Sequence, residues 1–206
     1  MKKYLLLLFM LVLVMQTGFA QQIDSIFADM PENIVPGLSE TDKSLLLDNT
    51  APKTVPSVFG EIERIGFKDD FLKIRTSEKG VTQLKLLKMD GGDFVICVVK
   101  TICAPACDSD IRFFSTDWKE LKKEKFLPAV PANSFIEPKD ENKTIGDYAW
   151  LLPDIYFVNA TFIDGLDDLS MKLDLKNHTS ADRFAEMEKA FNNNELLLRW
   201  NGRTFE

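Results

Sequence analysis

The chain has 206 residues, 45% of them hydrophobic, and a formal net charge of −7. This length fits one domain, and this hydrophobic content excludes a wholly disordered protein. The acidic balance disfavours binding to nucleic acids or anionic membranes, because no cluster of Lys and Arg offsets the repulsion from phosphate groups. The basic segment 119–125 is interrupted by Glu120 and Glu124, which is typical of a solvent-exposed surface.

The first 20 residues predict a Sec signal peptide. Lys2 and Lys3 form a positive start, Tyr4 to Met15 form an unbroken apolar run, and small residues lie three and one positions before Gln21. The run is too short for a membrane-spanning helix, which takes about 20 apolar residues. No Cys at the cleavage point offers a site for a lipid anchor. We therefore expect an exported, soluble mature domain over residues 21–206.

Two short helices are predicted at the start of the mature chain. Apolar residues at spacings of three and four predict an amphipathic helix over Ile23–Met30, which Pro31 ends. Ser39 and Asp42 have the spacing of a capping box and mark the start of a second helix. This helix should end near Asn49, because prolines follow at 52 and 56.

From residue 61 the apolar residues recur with a period of two, which predicts strands. Tight turns join these strands, and Asp90-Gly91-Gly92-Asp93 is the strongest turn signal. Consecutive strands with tight turns pair in the antiparallel manner. The predicted strands are Ile62–Phe67, Phe71–Thr76, Thr82–Met89, Asp93–Thr101 and Asp110–Ser115.

Three prolines predict a long connection over residues 127–143, which leaves two possible sub-units, 21–126 and 145–206. In the second sub-unit a hairpin is expected around Asp164-Gly165, followed by a helix that opens at Thr179 and a last strand. Its predicted strands are Tyr156–Phe162, Leu169–Lys176 and Glu195–Trp200. The predicted fold class is α+β, a largely antiparallel sheet in consecutive hairpins with helices packed on one face.

Cys103-Ala104-Pro105-Ala106-Cys107 is the sharpest local motif. Soft thiolates select Cu(I), but copper-handling C-x-x-x-C proteins of the thioredoxin type need a helix at these cysteines, and a strand follows here. If the chain turns around Pro105, Cys103 faces Cys107 and the two form a disulfide across the hairpin tip, within disulfide range. Cys97 then lies opposite Phe113 as a buried, inert thiol.

Several carboxylates are candidates for a functional site. Asp164, Asp167 and Asp168 offer oxygen ligands for calcium, but the EF-hand spacing is absent and a solvated turn is the better interpretation. Asp108 and Asp110 leave a carboxylate-based hydrolase open. The single histidine, His178, lies in a turn and favours no catalytic arrangement.

Four stretches of the sequence resemble an uncharacterised family of exported proteins from Bacteroidetes, known only as a domain of unknown function. They are Phe27-Ala28-Asp29-Met30-Pro31, Cys97 to Cys103 with Pro105 and Asp108-Ser109, Phe113-Phe114 before Asp117-Trp118, and Leu198-Arg199-Trp200 with Phe205. The resemblance spans nearly the whole mature chain. It implies the periplasm or exterior of a Gram-negative bacterium, and it brings no catalytic residues. Asp24-Ser25-Ile26 resembles the O-glycosylation triplet of such exported proteins, which makes Ser25 a candidate site.

These patterns leave the function open between classes. The first hypothesis is a non-enzymatic module that binds a protein, a peptide or a glycan through one sheet face or edge, because no nucleophile, base and orienting group converge. Trp118, Trp150 and Trp200 could line such a surface, although their spacing favours the core. The alternative is periplasmic thiol or copper handling through Cys103 and Cys107. We predict no catalytic residue, no cofactor and no metal site.

Overall fold

The structure is a computed structural model that describes residues 23–177, 179–192 and 195–206. The predicted signal peptide and His178 lie outside the described residues. The α-helices are α1 (Ile23–Ala28), α2 (Glu40–Leu47) and α3 (Ala181–Ala190). Short 3₁₀ helices cover Lys123–Lys125, Ala132–Ser134 and Ile145–Leu151.

A seven-stranded antiparallel sheet dominates the fold, with its strands in chain order from β1 to β7. All five predicted strands of the first block lie in this sheet, each with its ends within three residues of the predicted ones. The sequence pattern missed β1 and β7, because they are short and form the two edges. The strands are β1 (Thr54–Ser57), β2 (Gly60–Lys68), β3 (Phe71–Arg75), β4 (Gly80–Lys88), β5 (Phe94–Cys103), β6 (Cys107–Phe114) and β7 (Glu120–Leu121).

Two smaller sheets complete the described residues. The predicted hairpin around Gly165 is present as β9 (Val158–Phe162) and β10 (Leu169–Leu173), and β12 (Glu195–Leu198) pairs with the other side of β10. The two-residue strands β8 (Glu137–Pro138) and β11 (Phe191–Asn192) pair with each other.

The seven-stranded sheet separates two hydrophobic clusters. On what we call the front face, alternate residues of β3 to β5 pack with α1, α2 and the loop between them. Ser39 caps α2, and its hydroxyl and Asp42 form the predicted capping box. The front cluster includes Ile23, Ile26, Phe27, Leu46, Leu72, Ile74, Leu84, Ile96 and Val98.

On the opposite, rear face, the other residues of β4 to β6 pack against β9, β10, β12 and α3. Aromatic rings fill this rear cluster, with the centroids of Phe113 and Phe126 lying 5.0 Å apart and those of Trp200 and Phe205 5.2 Å apart. Because α3 contributes Met187 to the rear cluster, the prediction that the helices cover one face is not confirmed.

The proline-containing segment 127–143 packs against the rest of the chain. Leu127, Phe135 and Ile136 are buried in the rear cluster together with residues of β5 and β10. The segment therefore contributes to the core, although its composition is typical of a linker.

Side chains of the large sheet close one edge of the three-stranded sheet. The backbone N–H groups of Val158, Ala160 and Phe162 on β9 donate to Asp108 Oδ1 (3.1 Å), Ser109 Oγ (2.8 Å) and Gln83 Oε1 (3.1 Å). The Nε2 group of Gln83 also donates to the Ala160 carbonyl, at 3.3 Å. These bonds join the two sheets, because they satisfy backbone groups of β9 that have no strand partner on that side.

Cations from elsewhere in the chain bind carbonyl groups at the ends of the helices. Lys43 Nζ lies 2.5 Å from the carbonyl oxygen of Ala28 and 2.9 Å from that of Met30, at the end of α1. Arg64 donates to the Leu47 carbonyl at the end of α2. Arg183 likewise bonds the carbonyls of residues 150–152, where a 3₁₀ helix ends. Such groups are the ones that a helix leaves unsatisfied, and its dipole favours cations there.

Candidate binding groove

An apolar groove of about 320 Å³ lies at one end of the front face. Its walls come from parts of the chain that are distant in sequence: the loop after α1, the β1–β2 hairpin, the β3–β4 turn and the ends of β4 and β5. The lining residues are Ile34, Val35, Pro36, Phe59, Ile62, Thr76, Ser77, Gly80, Thr82, Lys100, Thr101 and Ile102.

The tip of the β1–β2 hairpin projects two large apolar side chains beside the groove. Val58 is 78% exposed and Phe59 is 70% exposed. They form a two-residue turn between the paired Ser57 and Gly60, and Gly60 has a φ of +111°, a conformation that glycine adopts without strain. Apolar side chains at such a tip gain nothing from the core, which makes the tip a candidate interaction surface.

Ile102 forms the opposite rim and is 62% exposed. The backbone on either side of it is held firmly, because Cys103 N–H donates to the Lys79 carbonyl at 2.9 Å. A similar bond of 2.9 Å joins Thr76 N–H to the Gly80 carbonyl and closes the β3–β4 turn. Backbone hydrogen bonds therefore hold this wall of the groove together.

Lys100 is the one charged residue among those that line the groove. Partial burial, and then the neighbouring Arg112, hold the pKa of Lys100 below its usual range, while Asp110 acts in the opposite direction. Asp110 lies directly across from Lys100 in the β5–β6 register, but its Oδ2 atom is bound by Arg112 Nε at 2.7 Å. Within the described residues Lys100 has no ion pair.

The cysteine motif lies next to the groove, directly after Ile102. Cys103 and Cys107 face each other across the β5–β6 hairpin tip and are joined by a disulfide, and Cys97 lies opposite Phe113. The predicted register of this hairpin is therefore confirmed.

A second cavity, of about 430 Å³, lies on the other side of the hairpin tip and shares Ile102 with the groove. The remaining lining residues are Ala104, Pro105, Ala106, Asp108, Phe157 and Asn177. Cys107 N–H donates to Asp174 Oδ2 at 2.8 Å, which ties the tip to the chain after β10.

The third cysteine has no access to solvent. Cys97 is fully buried in the rear cluster, and this burial raises the pKa of its thiol well above the usual range. Because the thiolate is the reactive form, Cys97 is an inert packing residue under ordinary conditions.

Asp164 and Asp167, two of the residues considered as calcium ligands, have structural partners. Asp164 pairs with Lys68 at the exposed β9–β10 turn, and this contact lowers the pKa of Asp164. Asp167 binds Lys85, a buried cation that also contacts Asp70. Among the described residues no three His, Cys, Asp or Glu side chains lie close enough together to hold a metal ion.

None of the remaining candidates is among the residues that line the groove. Ser25 lies on the exposed side of α1. Trp118 and Trp200 are partly buried, and their indole N–H groups donate to the carbonyls of Ile26 and Lys88. Trp150 is exposed, far along the chain from the groove.

Sequence reasoning did not find the groove or its residues. Val58 and Phe59 follow two prolines and look like part of a loop, and Lys100 looks like an ordinary polar position of an alternating strand. One signal was present in the sequence: two consecutive large apolar residues just before a glycine, at a turn that no core requires.

Comparison with known families assigns the chain to a family. The model of a family described as "Protein of unknown function (DUF3256)" matches residues 15–205. The chain belongs to the DUF3256 family. The resemblance to a domain of unknown function is thus confirmed, whereas export stays a prediction.

A solved structure supports the fold of this DUF3256 protein. It is a domain of an uncharacterized protein from Porphyromonas gingivalis W83, a member of the Bacteroidetes, with a TM-score of 0.75. The two are 23% identical over 89% of this chain and 96% of that chain, so the likeness concerns the fold alone. No curated protein matches the chain. Among the described residues no helix is long and apolar enough to cross a bilayer.

Proposed function

We propose that this DUF3256 protein is a non-enzymatic binding module. Its groove on the front face binds a segment of a protein or peptide partner. The observation that carries the proposal is the exposure of Val58, Phe59 and Ile102 around an open, largely apolar cavity. Apolar walls with a few polar groups are typical of binding sites. They favour a peptide over a glycan, because a glycan needs many more hydrogen-bonding groups.

The alternative of thiol or copper handling has less support. The disulfide occupies both Cys103 and Cys107, and Cys97 lies in the rear cluster. A hydrolase built on Asp108 and Asp110 has little support too, because Asp108 accepts the Val158 N–H and Asp110 binds Arg112.

Site-specific photocrosslinking in the native cells tests the binding function. We would place p-benzoylphenylalanine at position 59 and, as a matched control, at position 166, where Leu166 is an exposed apolar residue of the β9–β10 turn. We expect a discrete crosslinked partner from position 59 alone, which disappears when Ile102→Ser is added. Equal adducts from both positions, or adducts that Ile102→Ser leaves unchanged, would contradict the proposal.

We further propose that this module is exported and acts in the periplasm or at the cell exterior. The basic start, the apolar run and the small residues before Gln21 support this location. N-terminal sequencing of the protein from a periplasmic fraction should begin at Gln21 or within two residues of it. Recovery of the uncleaved chain from the membrane fraction would contradict export by cleavage.

A further inference from the structure

Lys100 is a cation whose charge is not neutralised within the groove. No other charged residue lines the groove, and Asp110, its cross-strand neighbour, is bound by Arg112. Holding a charge in partly apolar surroundings costs free energy unless an opposite charge pairs with it. This arrangement is therefore complementary to a ligand that brings an anionic group.

The rest of the lining defines what accompanies that anion. Apolar side chains, among them Ile34, Val35 and Phe59, provide a surface for an apolar side chain of the ligand. Thr76 and Thr82 add hydroxyl groups to the lining, and hydroxyl groups bond peptide N–H and C=O groups. The volume of about 320 Å³ lies at the small end of the range for ligand sites, roughly 300–1,000 Å³. A groove of this size suits the end of a chain better than a long internal segment.

We propose that the groove binds the C-terminal end of a peptide, with the terminal carboxylate on Lys100 and an apolar final side chain between Phe59 and Ile102. This inference rests on the proposed function, because it names the ligand chemistry of the same site. Charge complementarity provides selectivity, since Lys100 attracts an anionic group to a groove whose other lining residues carry no charge.

Fluorescence polarisation with two probes tests the inference. The first probe is a fluorescein-labelled hexapeptide of glycine and serine that ends in two leucines with a free carboxylate, and the second is the same peptide with a C-terminal amide. We expect the free acid to bind about ten-fold more tightly than the amide, a difference of about 1.4 kcal/mol. Lys100→Met should remove this preference, so that the free acid and the amide bind with equal affinity. Lys119→Met, at an exposed lysine outside the groove lining, should preserve the preference.

The outcomes separate the inference from the proposed function. Equal binding of acid and amide, or a preference that survives Lys100→Met, overturns the carboxylate site. If Phe59→Ala weakens both probes in that case, the groove remains a peptide site. If Phe59→Ala changes neither affinity, the peptide binds elsewhere and the groove assignment fails. Absence of binding of both probes overturns the carboxylate site, and the photocrosslinking result then decides the proposed function.

Discussion

The environment of Lys100 lowers the stability of the folded state. Because partial burial and Arg112 lower the pKa of Lys100, the folded state binds this proton less tightly than the unfolded state does. The resulting loss in the free energy of unfolding is fully present below the lowered pKa, and it disappears as the pH rises past the ordinary value of 10.5.

Lys100→Met should therefore raise the free energy of unfolding at pH 7, by no more than about 0.5 kcal/mol because solvent screens a partly exposed charge. The difference from the wild type should shrink in urea titrations near pH 10.5. Lys119→Met, with an exposed lysine, serves as the control and should show no such trend. A variant less stable than the wild type at pH 7 would contradict this account.

The disulfide between Cys103 and Cys107 closes a loop with a sequence separation of 4. In the chain-entropy model so short a loop contributes about 2 kcal/mol, less than the roughly 3 kcal/mol of a 15-residue loop. The double variant Cys103→Ser with Cys107→Ser should therefore fold, with a lower midpoint of thermal unfolding. Mass spectrometry of unreduced peptides checks the pairing. A link from Cys97 to Cys103, three free thiols, or tight Cu(I) binding by the native protein would revive thiol or copper chemistry.

Gln83 joins the two sheets through a buried amide that bonds Ala160 and Phe162. Gln83→Leu would leave a buried N–H and a buried carbonyl unsatisfied, each at a cost of about 1–3 kcal/mol. We expect a loss of about 2–4 kcal/mol in the free energy of unfolding, measured by urea denaturation. Thr161→Val removes a hydroxyl bound to the same amide without leaving a buried backbone group unpaired. It should therefore lower the free energy of unfolding by no more than about 1 kcal/mol. Equal losses from the two variants would mean that Gln83 has no special part in joining the sheets.

At the scale of the elements, buried and partly buried cations bind carbonyl groups at the C-terminal ends of the helices. Lys43 binds two carbonyls at the end of α1 while its own backbone belongs to α2, so it fixes the two helices relative to each other. Lys43→Met should lower the free energy of unfolding by about 1.5–3 kcal/mol, the range for hydrogen bonds to charged groups. Lys139, which is exposed and binds one carbonyl of α3, is the matched control, and Lys139→Met should cost far less. Thermal unfolding followed by circular dichroism compares the two, and a similar loss from both would be inconsistent with a role of burial.

The elements were predictable where a short-range pattern decides them. Alternation defined β2 to β6 and the β9–β10 hairpin, and Asp90 to Asp93 and Asp164-Gly165 defined the β4–β5 and β9–β10 turns. The capping box at Ser39 located α2, although the apolar residues of that helix are confined to its last turn. Short edge strands such as β1 lack this signal, because their pairing is decided by β2 and not by their own composition.

What sequence reasoning could not reach depends on contacts between distant residues. Lys43, Lys85 and Arg64 look like surface cations until the fold buries them against carbonyls and carboxylates. The groove joins segments that are up to about seventy residues apart, so no local pattern could indicate that Val35 and Ile102 line one cavity. The cysteine register was predictable because a hairpin relates residues that are close in sequence.

At the scale of the whole molecule, the rear cluster contains residues of both predicted sub-units. Residues of β4 to β6 share this cluster with β9, β10 and β12, and Phe205 packs against both Phe113 and Phe162. A fragment of residues 21–126 would expose Val95, Val99 and Phe113 to water, so we expect it not to fold alone.

Size-exclusion chromatography and thermal denaturation of this fragment check the expectation. The fragment should aggregate or unfold without a cooperative transition, whereas the chain from residue 21 should unfold in one step. Mixing the fragment with residues 127–206 is the control, because the complement should restore a cooperative transition. A monomeric fragment that unfolds cooperatively would instead show that the two predicted sub-units are independent.

The side chains that bind β9 also affect how the protein behaves at high concentration. An open strand edge is a template on which a strand of another molecule adds, a route that leads to domain swapping and to amyloid fibres. On β9 the N–H groups of residues 158, 160 and 162 are already taken by Asp108, Ser109 and Gln83. A strand from a neighbouring molecule would have to displace these three side chains before it could pair. The β9 edge of the three-stranded sheet is thus protected against the addition of strands from other molecules by polar side chains, without a proline or a bulge in β9.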